Sequence, residues 1–303
     1  MTNPDWIAVD WGTSNLRVWA IAADGSILEP RSSDLGMSKL KKAEFEPALL
    51  ALVEDWLNGT DTPVVCCGMV GSRQGWLEAP YRTTPCTPLG SEMVTAPTKY
   101  ARLNVHVISG IKQTDPADVM RGEETQIAGV LALTPGFDGV ICLPGTHSKW
   151  VRVSAGEIVE FSTYMTGEMF ALLAEKSVLR HSVAATGWDD IAFQTALNDA
   201  FASPKMFANR LFSLRAETLI SDISPISARA RLSGLLIGME LAAARPYWLG
   251  QNVVIVGAGR LAGIYEHALI SQGAEPKQLD TTDITIAGLR LARASLEKCK
   301  ANI

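Results

Sequence analysis

The sequence predicts an α/β protein built from two related lobes, and three features carry that expectation. IAVDWGTSNLRVWAIAADG, residues 7–25, is an apolar strand, a Gly-Thr turn, a second strand of alternating character and a small-residue turn. VICLPGTHSKWVRVSAGE, residues 140–157, repeats that order. The spacing of about 133 residues is too long for a solenoid and points to two duplicated domains facing each other. Third, strand and helix patterns alternate after each opening, ending in the strand, glycine loop and helix of NVVIVGAGRLAGIYEHAL.

The elements follow in order. Residues 6–10, 15–22 and 26–31 read as three strands, with Asp24-Gly25 the strongest hairpin signal. A helix is expected from Glu44 to Leu57, with Pro47 in its tolerant first turn and Gly59 as its stop. TPVVCCGMVG is a buried strand running into a glycine loop, and the prolines of 76–98 mark a surface excursion. NVHVISGI reads as one buried strand, KQTDPADVMRG as turns, and EETQIAGVLAL as a helix starting at Glu123. Strands at 139–143, 148–154 and 157–163 restart the pattern. Residues 167–245 are mainly helical, with loops near Gly187 and breaks at Pro204 and Pro225, and TDITIAGLRLARASLEK closes the chain as a helix.

With 303 residues and 47% hydrophobic content the chain can bury sizeable cores. A net charge of -5 without a basic stripe argues against nucleic acid, and no run approaches the roughly 18 apolar residues of a membrane span. A cytoplasmic protein is expected. Cys66, Cys67, Cys86, Cys142 and Cys299 form no CxxC pair and read as reduced, mostly buried thiols. Four scattered histidines give no zinc pattern.

A glycine at a hairpin bend lets backbone approach a ligand, and the next amide and a threonine hydroxyl can donate to phosphate oxygens. One Gly-Thr turn is usually only a turn. Two in equivalent places could close on a polyphosphate from opposite sides. Asp10 ends an otherwise apolar strand, where it either caps its own turn or holds a hydrated Mg²⁺ beside phosphates. Thr13, Asn15 and Arg17 follow with donors at alternating positions, which favours the second reading.

DWGTSNLRVW, MRGEETQIAG, LPGTHSKW, MTGE and VGAGRLAG, in that order, resemble the sugar-acid kinases of the actin/hexokinase superfamily, with the 2-dehydro-3-deoxygalactonokinase family the nearest match. The resemblance spans essentially the whole chain. It implies two ribonuclease-H-like lobes with mixed five-stranded sheets and a central nucleotide cleft. Lobes 1–118 and 119–285 would hold MgATP, with 286–303 packing back on the first lobe. Asp10, Gly12, Thr13, Ser14, Asn15 and Arg17 would take the first phosphate motif, Gly145, Thr146, His147, Ser148 and Lys149 the second. Gly257, Ala258 and Gly259 would cradle adenosine. The implied reaction is ATP-dependent phosphorylation of 2-dehydro-3-deoxy-D-galactonate to its 6-phosphate in galactonate catabolism, with the gluconate-series epimer as the alternative substrate.

Related kinases carry Gly-Asp at a helix start before the second Gly-Thr, where this chain has Gly122-Glu123-Glu124. Either glutamate could take the acceptor's proton, or both could merely complement the helix dipole; Glu123 fits the register better. A sugar acid needs a cation and short polar groups. Gly71, Ser72, Arg73, Gln74, Trp76 and Tyr81 are candidates, as are Ser38 and Lys39 of LGMSKL, although Arg73 could equally be a solvated loop residue. Thr166, Gly167 and Glu168 are candidates too, although Thr166 could simply cap a helix. The partners expected are ATP and a sugar acid, with a homodimer allowed and neither nucleic acid nor membrane. Two rival classes remain: a nucleotide-gated ATPase, and a dinucleotide-dependent oxidoreductase suggested by the G-x-G-x-x-A of VGAGRLA with Asp280 downstream. The second lacks room for a six-strand sheet after Gly257.

Overall fold

A computed structural model describes residues 3–57 and 61–301. The expected Gly59 stop lies outside them, and so does the side chain of Cys299.

The chain opens as an antiparallel ribbon of β1 (Trp6–Trp11), β2 (Leu16–Ile21) and β3 (Ile27–Ser33). Helix α1 (Phe45–Val53) is shorter than expected, because the turns on either side of it, Lys42–Glu44 and Glu54–Trp56, are wound as 3-10 helix. Strand β4 (Thr62–Gly68) then pairs parallel to β1. The proline-rich excursion contains two short strands, β5 (Tyr81–Thr83) and β6 (Val94–Thr95).

NVHVISGI is two strands rather than one: β7 (Leu103–Val107) pairs parallel to β4, and β8 (Gly110–Thr114) leaves for another sheet. Gly110 permits the departure, since a Cβ there would lie 2.7 Å from the Met120 carbonyl and 2.8 Å from the Tyr81 ring. The segment read as turns holds the end of β8 and β9 (Ala117–Met120), an antiparallel hairpin completing a three-stranded sheet with β5. Helix α2 (Glu123–Leu133) follows.

The second opening is β10 (Gly139–Leu143), β11 (Ser148–Ser154) and β12 (Glu157–Tyr164). Then come α3 (Thr166–Lys176), α4 (Asp190–Ala202), α5 (Phe207–Ile220), α6 (Pro225–Ala243) and α7 (Arg245–Trp248). Finally β13 (Val253–Val256), α8 (Gly259–Ser271), β14 (Lys277–Leu279) and α9 (Thr281–Ala301) close the chain. The two large sheets run β3-β2-β1-β4-β7-β6 and β12-β11-β10-β13-β14. Apart from the two-residue β6, which makes the first sheet six-stranded, they share one strand order. The duplication read from the openings therefore extends through whole sheets.

Strand alternation sorts the first core. Ile7, Val9 and Trp11 of β1, Leu16 and Val18 of β2, and Val64 and Cys66 of β4 pack with Phe45 and Leu49 of α1. The opposite-facing Trp6, Ala8, Trp19, Val65 and Cys67 pack with Ile286, Leu289 and Ala292 of α9. Asp10 shares the alternation of Trp6 and Ala8, so its carboxylate lies on the α9 face, at the C-terminal end of β1.

Two compact units result: residues 1–137, 153–160 and 280–303, and residues 138–152 and 161–279. Helix α2, assigned from sequence to the second lobe, belongs to the first, because it packs tightly on α9. A Cβ on Gly129 would sit 2.0 Å from the Ile284 carbonyl, and one on Gly288 1.9 Å from the Thr125 carbonyl. In the second unit α6 lies equally close to α4: a Cβ on Gly234 would approach the Phe193 carbonyl to 2.4 Å, and one on Gly238 the Leu197 carbonyl to the same distance.

Candidate active site

In the first unit the Gly-Thr bend is a four-residue loop, 12–15, closed by the Gly12 amide donating to the Asn15 carbonyl at 2.9 Å. Thr13, Ser14 and Asn15 are exposed at its tip. Behind it lies LGMSKL. A Cβ on Gly36 would come within 2.2 Å of the Ser14 backbone, and the Ser38 amide and hydroxyl both donate to the Thr13 carbonyl, at 3.0 and 2.8 Å. Ser38 thus braces the bend, and Lys39 pairs with Asp34 at 2.7 Å.

Asp10 and Arg17 face each other across the β1–β2 register, and Arg17 Nε and Nη2 both donate to Asp10 Oδ2. The other oxygen, Oδ1, accepts from the Cys67 thiol at 3.8 Å. Cys67 is the parallel partner of Asp10 on β4, and burial together with the Asp10 and Glu124 carboxylates holds its thiol well above the usual range. One Asp10 oxygen is thus held by a cation and the other only by a weak donor. A lone carboxylate with a spare oxygen fits water-mediated Mg²⁺ beside a phosphate, which keeps most of its hydration. No cluster of three His, Cys, Asp or Glu suited to a metal occurs among the described residues.

Helix α2 starts against this strand end. Gly122 has φ +108° and its Cβ position lies 3.2 Å from Gly68 Cα; Gly68 has φ +94°, and a Cβ there would lie 2.5 Å from the Trp11 carbonyl. Only glycine allows both the left-handed backbone and this approach. The two glutamates then differ. Glu124 is fully buried, accepting from the Gly122 amide at 2.7 Å and the Thr125 hydroxyl at 3.4 Å. Burial, and secondarily the charge of Glu123, push its carboxyl up to about 8. Glu123 is half-buried and accepts from the Arg121 amide at 3.0 Å.

The expected acid-binding loop is divided. Arg73 is 80% exposed and pairs with Glu78 at 3.4 Å, and Gln74 is exposed. Trp76 is a core residue, 6.3 Å from both Trp11 and Phe45 between ring centres. Ser72, next to Gly71, is buried, and Gly71 and Tyr81 lie against Arg121, a residue the sequence reading passed over. Its signal was present: a cation directly before the Gly-Glu-Glu read only for its carboxylates.

In the second unit the bend is also four residues, 144–147. Thr146 and His147 are exposed at it, while Ser148 and Lys149, expected at the phosphate, are buried in β11. A Cβ on Gly167 would lie 2.4 Å from the Gly145 carbonyl, and the Glu168 amide donates to the Thr146 carbonyl at 3.0 Å, so α3 butts on the bend. His147 Nε2 and Glu168 Oε2 lie 2.5 Å apart. Thr166 is the first helical residue rather than the cap, which is Met165; its hydroxyl donates to Glu240.

Glu240 is the second residue missed, a lone carboxylate in the apolar run GLLIGMELAAA. It accepts from Trp150 Nε1 at 2.8 Å and the Tyr265 hydroxyl at 2.7 Å, while Ser148 meets that hydroxyl at 2.8 Å. Burial pushes its carboxyl up, and these donors partly offset that. One buried group thus ties the strand after the bend, the start of α3 and the middle of α8 together.

Above this network is a cavity of about 210 Å³ reached by Gly145, Thr166, Ser233, Leu261, Ile264 and Tyr265. Its walls include Arg260 stacked on Trp188 at 4.6 Å and Arg229 on Phe170 at 4.9 Å. Gly257, Ala258 and Gly259 lie where β13 becomes α8, one residue before Arg260. Gly257 cannot carry a side chain, since its Cβ would lie 2.8 Å from that of Ala262, and Gly259 has φ +62°.

A family model described as 2-keto-3-deoxy-galactonokinase matches residues 10–292. The chain belongs to that family. Among 2-keto-3-deoxy-galactonokinase relatives it is 38% identical over 301 residues to a probable 2-dehydro-3-deoxygalactonokinase of Rhizobium meliloti, covering 96% of this chain and 97% of the relative. It is 33% identical over 290 residues to the 2-dehydro-3-deoxygalactonokinase of Escherichia coli, covering 94% and 96%. A crystal structure described as a 2-dehydro-3-deoxygalactonokinase protein from Sinorhizobium meliloti superposes with a TM-score of 0.90 at 38% identity, covering 96% of this chain and 99% of that one. The activator of 2-hydroxyisocaproyl-CoA dehydratase from Clostridium difficile, with ADPNP bound, has a TM-score of 0.53 at 10% identity over 98% and 97% of the chains, which shows the fold alone. Membership makes the protein a carbohydrate kinase of α/β fold and sets aside the oxidoreductase and ATPase readings. No helix among the described residues is long and apolar enough to cross a membrane.

Proposed function

We propose that the protein transfers the γ-phosphoryl group of ATP to the terminal hydroxyl of 2-dehydro-3-deoxygalactonate, giving the 6-phosphate and ADP. The observation that carries the mechanism is the contrast between Glu123 and Glu124 where α2 meets the end of β1. A base must touch the acceptor hydroxyl and be ionised. Glu124 is sealed from solvent and holds its proton at neutral pH. Glu123 is half-open and is the residue we assign to receive the hydroxyl proton.

Adenosine is assigned to the cavity of the second unit, where Trp188 and Phe170 offer aromatic faces and the Gly257–Gly259 turn allows close backbone approach. Amides and hydroxyls at a Gly-Thr bend suit phosphate oxygens, and Arg17 would balance charge on the transferring group. Asp10 would hold Mg²⁺ through water, and the ion when bound neutralises charge on the β- and γ-phosphates. Excluding water around the acceptor favours transfer to it over hydrolysis. The ATP dependence and the free cysteines support a cytoplasmic location.

The test is a coupled ADP assay with 2-dehydro-3-deoxygalactonate and its gluconate-series epimer, with NMR locating the phosphate. Phosphorylation at C6 with the galactonate compound preferred is expected. Absence of ADP formation with either acid would refute the reading. Glu123→Gln should lower kcat by about 10²- to 10⁴-fold while leaving KM for ATP within a few-fold.

A further inference from the structure

Arg121 presents an unusual electrostatic situation. It is 7% exposed, and only Nη2 has an acceptor, the Ala79 carbonyl at 2.7 Å. Its Nε and Nη1 are sealed from solvent and make no hydrogen bond. The guanidinium lies over the Tyr81 ring, 4.3 Å from its centre, and approaches Gly71 so closely that a Cβ there would be 2.8 Å from Nη1. The next residue, Ser72, is 5% exposed, and its hydroxyl too is buried without a partner. Glu124 feels the Arg121 charge, but its oxygens are taken by the Gly122 amide and the Thr125 hydroxyl.

Buried polar groups normally have partners, and a buried cation without an anion is among the costliest exceptions. Arginine only donates, so whatever completes this cluster must accept, and a negative charge suits it best. A sugar acid brings one group of that kind, its C1 carboxylate. Arg121 directly precedes Gly122 and Glu123, so an acid anchored on it would be held near the assigned base.

We propose that Arg121, with the Ser72 hydroxyl, is the receptor for the substrate carboxylate and selects acids over neutral sugars. This rests on the sugar-acid kinase reading above. Arg73, the other cation among the candidates, pairs with Glu78 in solvent, as a solvated loop residue would. Gly71, lacking a Cβ, lets the guanidinium lie against its backbone, and Tyr81 holds it through its ring.

The experiment measures kcat/KM for 2-dehydro-3-deoxygalactonate and for the analogue with a hydroxymethyl group in place of the carboxylate, in wild type, Arg121→Met, Arg121→Lys and Ser72→Ala. For Arg121→Met the acid should lose on the order of 10- to 100-fold and the neutral analogue less than about 3-fold, with KM for ATP unchanged. Arg121→Lys should recover part of the loss, and Ser72→Ala should lower the acid-to-neutral ratio about 5-fold. Equal losses for both acceptors in Arg121→Met would make the residue a strut for the Ala79–Tyr81 segment and overturn the assignment. Should that variant not fold, an unchanged ratio in Ser72→Ala overturns it instead. A wild type inactive on the acid would defeat the functional reading first, which is a different result from an active wild type whose variants keep their selectivity.

Discussion

Two adjacent glutamates of one type and one helix turn end in opposite states, because a helix rotates neighbouring side chains by about 100°. Glu124 turns into the face packed against Cys67 and Glu123 does not. The Glu124 carboxyl has its folded pKa raised from 4.5 to about 8, mainly by burial. The folded protein therefore binds a proton that the unfolded chain releases between those values. That contribution to stability is complete below about 4.5 and is lost as pH rises through 8. We expect the wild-type Tm to fall across this window and Glu124→Gln to flatten the fall, as measured by calorimetry at fixed ionic strength. An equally steep fall in the variant would show that the titrating group lies elsewhere. Sequence placed both glutamates at the site. Only their burial separates them, and burial depends on what the opposite face of the helix meets.

Close helix approach organises both units. Gly129 and Gly288 let α2 and α9 touch backbone to backbone, which fixes where the N-terminus of α2 stands over β1 and β4. Gly288→Leu would force the pair apart, because its Cβ alone would overlap the Thr125 carbonyl. We expect a loss of about 1–3 kcal/mol or more by urea denaturation, with kcat falling further than the folded fraction does. In the second unit Glu240 ties α6 to β11, α3 and α8. Removing Glu240 strands the Trp150, Thr166 and Tyr265 donors, at about 1–3 kcal/mol for a buried donor left unsatisfied, so Glu240→Ala should be strongly destabilising. Glu240→Gln keeps an acceptor and should be milder in stability while still raising KM for ATP. Equal stability in the two variants would contradict a role based on satisfied donors. The strand-turn-helix text of this region was legible from its pattern. The tie beneath it was not, because its partners are between 25 and 90 residues from Glu240 in sequence.

Across the molecule, the two sheets share one strand order but have diverged in use. The first carries Asp10 on its opening strand; the second has Leu143 at the equivalent place, and its unit holds a cavity flanked by Trp188 and Arg260. On the functional reading proposed above, nucleotide and acid draw on separate units. Trp188→Ala should raise KM for ATP about tenfold or more, while KM for the sugar acid moves by less than threefold in steady-state kinetics. A non-hydrolysable ATP analogue at 100 times its Kd should stabilise the wild type by about 2.7 kcal/mol, and in Trp188→Ala by much less at the same concentration. Matching shifts in both proteins would remove the aromatic wall from the nucleotide site.

By itself the sequence determined the α/β class, the duplicated strand openings, the Gly-Thr bends, the Gly-Glu-Glu helix start and the glycine turn before α8. All of these are written in residues adjacent along the chain, where periodicity and backbone freedom act locally. Tertiary structure alone decided that α2 belongs to the first unit, that Trp76 and Ser148 are buried, and that Arg121 rather than Arg73 is the buried cation. Desolvation and hydrogen-bond satisfaction depend on which distant segments fold over a group, and no local pattern records that.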